Sequence, residues 1–507
     1  MDPRAIDYLY THFLSLCLVA SFYSVAMAFY RLALSALAQF PGPRHAAATG
    51  LYEAYFQLIK YGTFTWEINR LHQEYGPIIR IKPNELHIKD PDYYSTLYAG
   101  PGKHRSKDPG HSFISFPQSM MSTAGHELHR ARHWVLGQLL KKKAVLQLEP
   151  VIRANIKKLE RHFSASVSSD KPLELHTAFQ CFASDTTSQY CFGEREGFHY
   201  LDQPDLSATW KTQITWLFEL SRLNRHVPIL SSIGRLVPCM ACNVIPPYRN
   251  IYQLEQDVRY RVRNAIGQHR QSRVSKNGYA TASTAVYPTI LADPDVPASE
   301  KESSRLEDDA VLLMIAGTDA PSQATAITFF HILNNPKVHE KLKVELFKNI
   351  PEVGTVPTIY QLEQLPYLSA TITEGLLLSS IITTRVTRLP RIAPDEVLQY
   401  GQWDIPAGTL LHIFQDPTSF IPEHWIVNPE EKKRLDKYLV PASKGTLGCL
   451  GQNMNWAWMY LLLGTLLRRY NLVLHETTKR NTDFGMNNIQ VKVLGECQEG
   501  SLTRDVR

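Results

Sequence analysis

Near its C-terminal end the chain reads Pro441-Ala442-Ser443-Lys444-Gly445-Thr446-Leu447-Gly448-Cys449-Leu450-Gly451, and a long apolar stretch follows. Glycines let the backbone turn tightly and come close to a flat ring. A helix start supplies free N–H groups and the positive end of the dipole, which favour a thiolate over a thiol. A lone cysteine is most often just a small buried hydrophobe. This loop suits a more specific task, which is to present Cys449 as the axial ligand of a haem iron, with Gly445 and Gly451 shaping the approach.

Two other segments carry candidate chemistry. Ala316-Gly317-Thr318-Asp319-Ala320-Pro321-Ser322 sits inside a long apolar run. Small residues there leave a groove on a helix, Asp319 can hold or pass a proton, and Pro321 removes a helix N–H. Thr318 and Ser322 can hold a water. The bland alternative is a packing spot with a proline kink. Upstream, His126-Glu127-Leu128-His129-Arg130-Ala131-Arg132-His133 is dense in cations, but no cysteine lies nearby and the spacing fits no common metal-ligand set.

The elements that must hold these residues are mostly helical. The segments from about 120 to 270 read as helices, and Ala178–Phe192 is apolar on most sides, as a buried helix would be. A long helix is expected from Ser304, with a capping box over Ser304–Glu307. Asn334-Asn335-Pro336 ends it, and Pro366 opens another that carries Glu374. Ile78–Ile88 alternates around a Pro-Asn turn, as a small hairpin does. Arg385–Leu410 reads as short strands and turns, Ile489–Leu494 as a strand, and the polar, proline-bearing run from Gln271 to Ser304 as a surface connection. The fold class is mainly α with a minor β part.

Composition limits the class of protein. The chain has 507 residues, 44% hydrophobic and 20% charged, with net charge +6, which describes a globular protein with a large core. No Lys/Arg stripe points to nucleic acid; Lys141-Lys142-Lys143 reads as a solvated helix end. Seven scattered cysteines argue for a reducing compartment, and Cys239-Met240-Ala241-Cys242 lacks the second pair a zinc site needs. Phe13–Tyr30 is an uncharged apolar stretch long enough to span a bilayer, with Tyr8, Tyr10 and Tyr30 suited to the interfaces. Asp2 and Asp7 precede it while Arg31 and Arg44 follow, which puts the body on the cytosolic side. A cleaved signal peptide ending at Ala36-Leu37-Ala38 is the rival, against which the non-basic start counts. Phe40-Pro41-Gly42-Pro43-Arg44 then forms a stiff hinge. The division is an anchor over 1–39 and a body over 40–507.

The cysteine loop resembles that of the cytochrome P450 family, Phe-x-x-Gly-x-Arg-x-Cys-x-Gly, with matches at Gly445, Cys449 and Gly451. The Ala316 segment is similar to the family's oxygen groove, matching at Ala316, Gly317 and Asp319. The hinge and the stretches Ala183-Ser184-Asp185, Tyr190-Cys191-Phe192-Gly193 and Thr387–Pro394 resemble fungal members that oxidise secondary metabolites. The resemblance implies haem b, electrons from NADPH through a partner reductase, a small apolar substrate, and a single-pass protein of the endoplasmic reticulum membrane. It assigns Asp319 and Thr318 to proton delivery, and Arg132 and His133 to the haem propionates, with Arg385 or Arg388 as other candidates. Residues 100–125 and 210–230 would line the substrate pocket.

Several family positions are changed. Ala442 replaces the phenylalanine, Leu447 the arginine that pairs with a propionate, and Ala320 the hydroxyl residue. Leu377 and His424 replace the arginines of Glu-x-x-Arg and Pro-Glu-Arg-Trp, leaving Glu374 without its usual partners; a buried acid in that state is costly, and a protonated His424 would be the substitute. Ala407–Ser419 is also shorter than the family's strand–loop–strand, so that either a local strand is lost or the translated sequence carries a gene-model error. These changes set a second expectation beside the monooxygenase: a degenerate member with impaired haem binding, acting as a pseudoenzyme or binding protein. A third keeps haem without oxygen activation.

Overall fold

The computed structural model describes residues 3–60, 62–100, 102–108, 116–227, 243, 246–274, 285–379, 391–413, 420–479 and 489–497. Arg385, Arg388 and the Cys239–Cys242 pair lie outside them, as do parts of the proposed pocket segments and of Ala407–Ser419. The chain forms two units: residues 1–108 with 383–415, and residues 109–382 with 416–507.

The first unit opens with helix α1 (Pro3–Phe29), which continues as a π turn over Tyr30–Leu34. Tyr10–Leu34 is apolar and long enough to cross a membrane, and none of it is buried. Such uniform apolar exposure is what a lipid-facing helix requires. The hinge that follows is held in place. The Phe40 ring stacks 5.0 Å from that of Trp403, and Arg80 N–H donates to Pro41 O at 2.7 Å. A Cβ at Gly42, which has φ of 147°, would lie 2.5 Å from Arg80 O. The Arg80 guanidinium also donates to Arg31 O at 2.8 Å, and Arg31 to Ala48 O at 2.8 Å.

The expected hairpin is present: β1 (Ile78–Lys82) pairs antiparallel with β2 (Glu85–Ile88), Ile78 opposite Ile88. The sheet continues from β2 to Leu410–Ile413 in parallel, then to Arg391–Ile392 and Ser106–Lys107. A strand is therefore present at Leu410–Ile413 even though this segment is short.

The second unit is helical: α2 (His126–Leu139), α3 (Glu149–Ser169), α4 (Leu175–Phe192), α5 (Thr209–His226), α6 (Pro246–Val274), α7 (Ser303–Leu333), α8 (Pro336–Asn349), α9 (Pro366–Leu378) and α10 (Gln452–Arg469). A three-stranded sheet joins Leu173–Glu174, Gln490–Glu496 and Tyr470–Leu474. Every residue of α4 is buried, as its sequence predicts. Several of its polar residues find partners: Asn155 donates to Thr186 Oγ1 and Gln189 Oε1 at 3.0 Å each, and Asp185 accepts from the N–H groups of Tyr200 and Leu201 at 2.8 Å each. Helix α4 lies along α7, the central helix of the core.

Two local expectations are corrected. The Ser304–Glu307 capping box does not form, because α7 starts one residue earlier, with Glu302 at the N-cap. Glu307 accepts from Ser303 Oγ at 2.7 Å and pairs with Arg263 at 2.8 Å. The segment read as a surface connection contains a helix over Val286–Ala292, whose Val286, Tyr287, Ile290 and Leu291 form a buried face.

Candidate haem-thiolate site

The cysteine loop turns at Ser443 (φ 60°) and Gly445 (φ 72°). Gly445 is the glycine whose backbone conformation other residues rarely adopt; Gly448 and Gly451 have ordinary negative φ. Cys449 N–H donates to Ala442 O at 2.8 Å and closes the loop. Gly451 is the N-cap of α10, and a Cβ there would sit 3.9 Å from Cys449 Sγ. Burial pushes the Cys449 thiol up, and the nearby backbone N–H groups of Gly451 and Gln452 act in the opposite direction. Those are the free amides of a helix start, as a thiolate ligand needs. The Cys449 side chain is accessible from outside the protein.

Helix α2 braces the loop. His133 Nε2 lies 3.2 Å from Gly448 O and serves as the donor. Leu450 approaches to 3.4 Å of where a Gly137 Cβ would be, and Asn453 donates to Leu140 O at 3.0 Å. Arg132 turns another way: it donates to Gln118 O at 2.8 Å and Thr123 Oγ1 at 2.6 Å, and pairs with Glu300 at 3.4 Å. His133 is thus joined to the cysteine loop, while Arg132 holds the start of α7.

Helix α7 is buried along most of its length, but Leu313, Ala316, Gly317 and Ala320 form an accessible stripe, with Ala316 the most open. This i, i+3, i+4, i+7 spacing is one helix face. Gly317 is small chiefly for the sake of α4: an added Cβ would meet the Thr187 side chain at 2.9 Å. Pro321 has no N–H to give to the Gly317 carbonyl four residues back, and Thr187 Oγ1 donates to that carbonyl at 3.2 Å instead.

The structure does not bring Thr318 to this face. It is wholly buried, roughly 200° around the helix from Ala316 by helix geometry. Ser322 does not replace it, because its hydroxyl donates to Thr318 O at 2.7 Å and Asp319 O at 2.8 Å. Asp319 is the ionisable group of this turn. Burial pushes its pKa up to about 6, against the hydrogen bond from Gln180 and the charge of Lys211.

Glu374 has partners of another kind. Its side chain is 1% exposed, with Oε1 accepting from Ile421 N–H at 2.9 Å and Oε2 from the Trp425 indole N–H at 2.7 Å. His424, the expected substitute, is exposed and outside this network. Leu377 is half-buried. The indole of Trp425 was the partner that motif reading passed over; its signal was an N–H donor next to His424 in a segment already tied to Glu374.

These residues fit a flat iron-bearing ring. A loop cysteine at a helix start, and a small-residue stripe laid open on an otherwise buried helix, are features that a haem-thiolate protein would use. The chain belongs to the cytochrome P450 family, whose profile matches residues 51–494. It is 34% identical to conidiogenone synthase PchP450 of Penicillium rubens over 89% of this chain and 91% of that protein. It is 33% identical to cytochrome P450 monooxygenase TRI4 of Trichoderma arundinaceum over 92% and 90%. Tryptophan 6-hydroxylase fscE of Fusarium equiseti is 33% identical over 90% of each chain. Kinship of this extent makes the chain a haem monooxygenase.

Proposed function

We propose that the protein is a membrane-anchored monooxygenase that oxidises a small apolar secondary metabolite, of terpenoid or polyketide type, at the endoplasmic reticulum. The body, 40–507, faces the cytosol behind an anchor over 1–39, and a partner reductase supplies electrons from NADPH. The observation that carries this reading is Cys449 in a loop closed by its own N–H to Ala442 O, directly before Gly451, the N-cap of α10. The names of the relatives support the class of substrate, and the exposed apolar helix supports the anchor.

Cys449 would ligate the iron, with Gly445 and Gly451 shaping the loop and Ala316 and Gly317 on the facing helix. When bound, haem supplies dioxygen chemistry, and a thiolate ligand favours O–O cleavage. The protein's own residues bind and orient. The amides at the start of α10 would favour the Cys449 thiolate against the burial that favours the thiol, His133 fixes the loop through Gly448 O, and Asp319 holds the proton such chemistry consumes. His133 also stands on the helix assigned to the propionates, whereas Arg132 reaches them only by leaving Glu300. The degenerate reading loses its main support because Glu374 is fully hydrogen-bonded.

The test is the reduced, carbon-monoxide difference spectrum of the full-length protein in detergent. The full chain is used because Arg80 bonds Arg31 O, so the anchor end is tied to the hairpin. A strongly red-shifted Soret band, lost in Cys449→Ser, is the expected result. Purified protein that takes up no haem would overturn the proposal.

A further inference from the structure

The turn of α7 that carries the accessible stripe lacks a side-chain hydroxyl to relay protons. Ala320 has none, Thr318 faces the other way, and Ser322 is bonded to its own helix. That leaves Asp319, and its described contacts lie on α4 rather than along α7. Gln180 Nε2 donates to Asp319 Oδ1 at 3.0 Å, and His176 Nε2 lies 3.8 Å from the same oxygen.

His176 and Gln180 are four residues apart and so share one face of α4. Both are buried, and the carboxyl they face is mostly covered, its side chain 16% exposed. The cluster meets solvent at the foot of α4. There the N-cap Glu174 pairs with Lys211 of α5 at 3.0 Å, the two side chains 19% and 25% exposed. Lys211 also acts on Asp319 through its charge. Among the described residues, the ionisable groups around His176 include Asp319 on α7, Glu174 on α4 and Lys211 on α5.

A buried histidine beside a mostly covered acid has a structural reading, in which the imidazole only fills space. Two features argue for more. Gln180 has already given the carboxylate oxygen a fixed donor, so a neutral amide would have served in place of His176 if packing were the only need. A histidine is also the side chain that gains and loses a proton near neutral pH.

We propose that His176 is the residue through which solvent protons reach Asp319. This rests on the monooxygenase reading above. The imidazole takes a bulk-solvent proton at Nδ1, passed through water entering beside the Glu174–Lys211 pair, gives its Nε2 proton to Asp319 Oδ1 while Gln180 holds that oxygen in place, and regains Nε2–H by a ring flip or tautomer exchange. Each cycle delivers one proton and leaves His176 neutral, so charge and protons balance. The 3.8 Å separation is bridged by one water or by a small ring movement. The relay therefore enters from α4, replacing the one that the hydroxyl missing at Ala320 would have completed.

The experiment uses the full-length protein in detergent, with a carbon-monoxide spectrum of each variant to establish that thiolate-ligated haem is present. In haem-free protein carrying isotope-labelled histidine, NMR follows the His176 imidazole. Asp319→Asn should lower its titration midpoint by roughly one unit, since a neighbouring carboxylate favours the charged ring. With a fungal reductase and NADPH, His176→Gln should slow NADPH consumption roughly tenfold or more, the scale of lost acid–base help, and raise the solvent deuterium isotope effect. Added imidazole should restore the rate in His176→Gly. An unchanged NMR midpoint overturns the proposal, as does an unchanged rate and isotope effect in His176→Gln. If His176→Gln does not accumulate, the NMR comparison decides alone. A wild-type protein without the thiolate spectrum refutes the monooxygenase reading instead, while the NMR arm still reports on the pair.

Discussion

Replacing Trp425 with phenylalanine removes one N–H and keeps most of the ring. That N–H lies 2.7 Å from Glu374 Oε2, and Glu374 is 1% exposed. A hydrogen bond to a buried carboxylate contributes ~1.5–3 kcal/mol, and losing it strands an acceptor that water cannot reach. Trp425→Phe should therefore cost about 2–3 kcal/mol. Glu374→Met, which keeps the volume, should cost at least as much, because it strands the donors of Ile421 and Trp425 together. The two changes share one bond, so the double variant should cost less than the sum, with a coupling of ~1.5–3 kcal/mol. The assay is thermal unfolding of the haem-free protein, followed by near-ultraviolet circular dichroism. One kcal/mol moves the midpoint by ~2–4 °C in a domain of 150–250 residues and by less in a longer chain, so the single variants should fall by a few degrees. Haem retention on gel filtration should fall in parallel. Leu377→Arg should not raise it, since both Glu374 oxygens already have donors. A coupling below ~0.5 kcal/mol, within ordinary additivity, or a clear gain of haem in Leu377→Arg, would refute the claim that the indole replaced the arginine.

The remaining expectations are briefer. An added Cβ at Gly375 would lie 2.1 Å from Thr328 Oγ1, so Gly375→Ala should destabilise by ~1–3 kcal/mol through overpacking, and Thr328→Ala in the same chain should recover much of it in the same melt. Asp319 has its pKa raised to about 6 in the folded protein by burial, above the ordinary value near ~3.9. The folded state thus binds the extra proton, and stability present below pH ~4 is lost as pH rises to about 6, by at most ~3 kcal/mol. Asp319→Asn should remove that slope from melts run between those pH values. His331 behaves in the opposite sense. Burial first, then the charge of Lys479, pushes its pKa down to about 4, so stability present at neutral pH falls as pH drops from ~6.5 towards 4, and His331→Phe, next to the stacked Phe420 ring, should flatten that acid limb.

Much of the fold was legible because it rests on long, regular signals. The apolar run in α4, the Pro336 and Pro366 starts of α8 and α9, and the alternation of Ile78–Ile88 are local patterns that survive in the structure. The capping box failed because α7 starts earlier, at Ser303, and Glu307 is instead engaged by Ser303 and by Arg263 and Arg259 of α6, distant in sequence. The candidate site was legible in part. The tight turn at Gly445 and the opening at the small residue Ala316 follow from residue type. Thr318 was misplaced because motif spacing does not say which side of a helix looks outward, and the structure puts it on the buried side.

The replaced motif positions share a physical logic. A motif names the side chain that usually satisfies a group, while folding requires only that the group be satisfied. Glu374 needs donors, and an indole N–H with a backbone amide meet that need without the charge of a guanidinium. The Gly317 carbonyl needs a donor once Pro321 withholds its N–H, and Thr187 reaches across from α4. In each case the replacement comes from a different element, so it is invisible to any comparison made along the motif itself. The substitutes are also neutral, so they carry no long-range field, and the positive charge that arginines would have brought to the underside of the ring is reduced. Haem held this way would depend more on the Cys449 bond and on packing than on ion pairs. Its retention should then be nearly insensitive to salt, because screening acts on charges and leaves a short buried hydrogen bond almost untouched. Haem release into apomyoglobin, measured at low and high sodium chloride, tests this: a rate that climbs steeply with salt would mean that ion pairs still carry the ring.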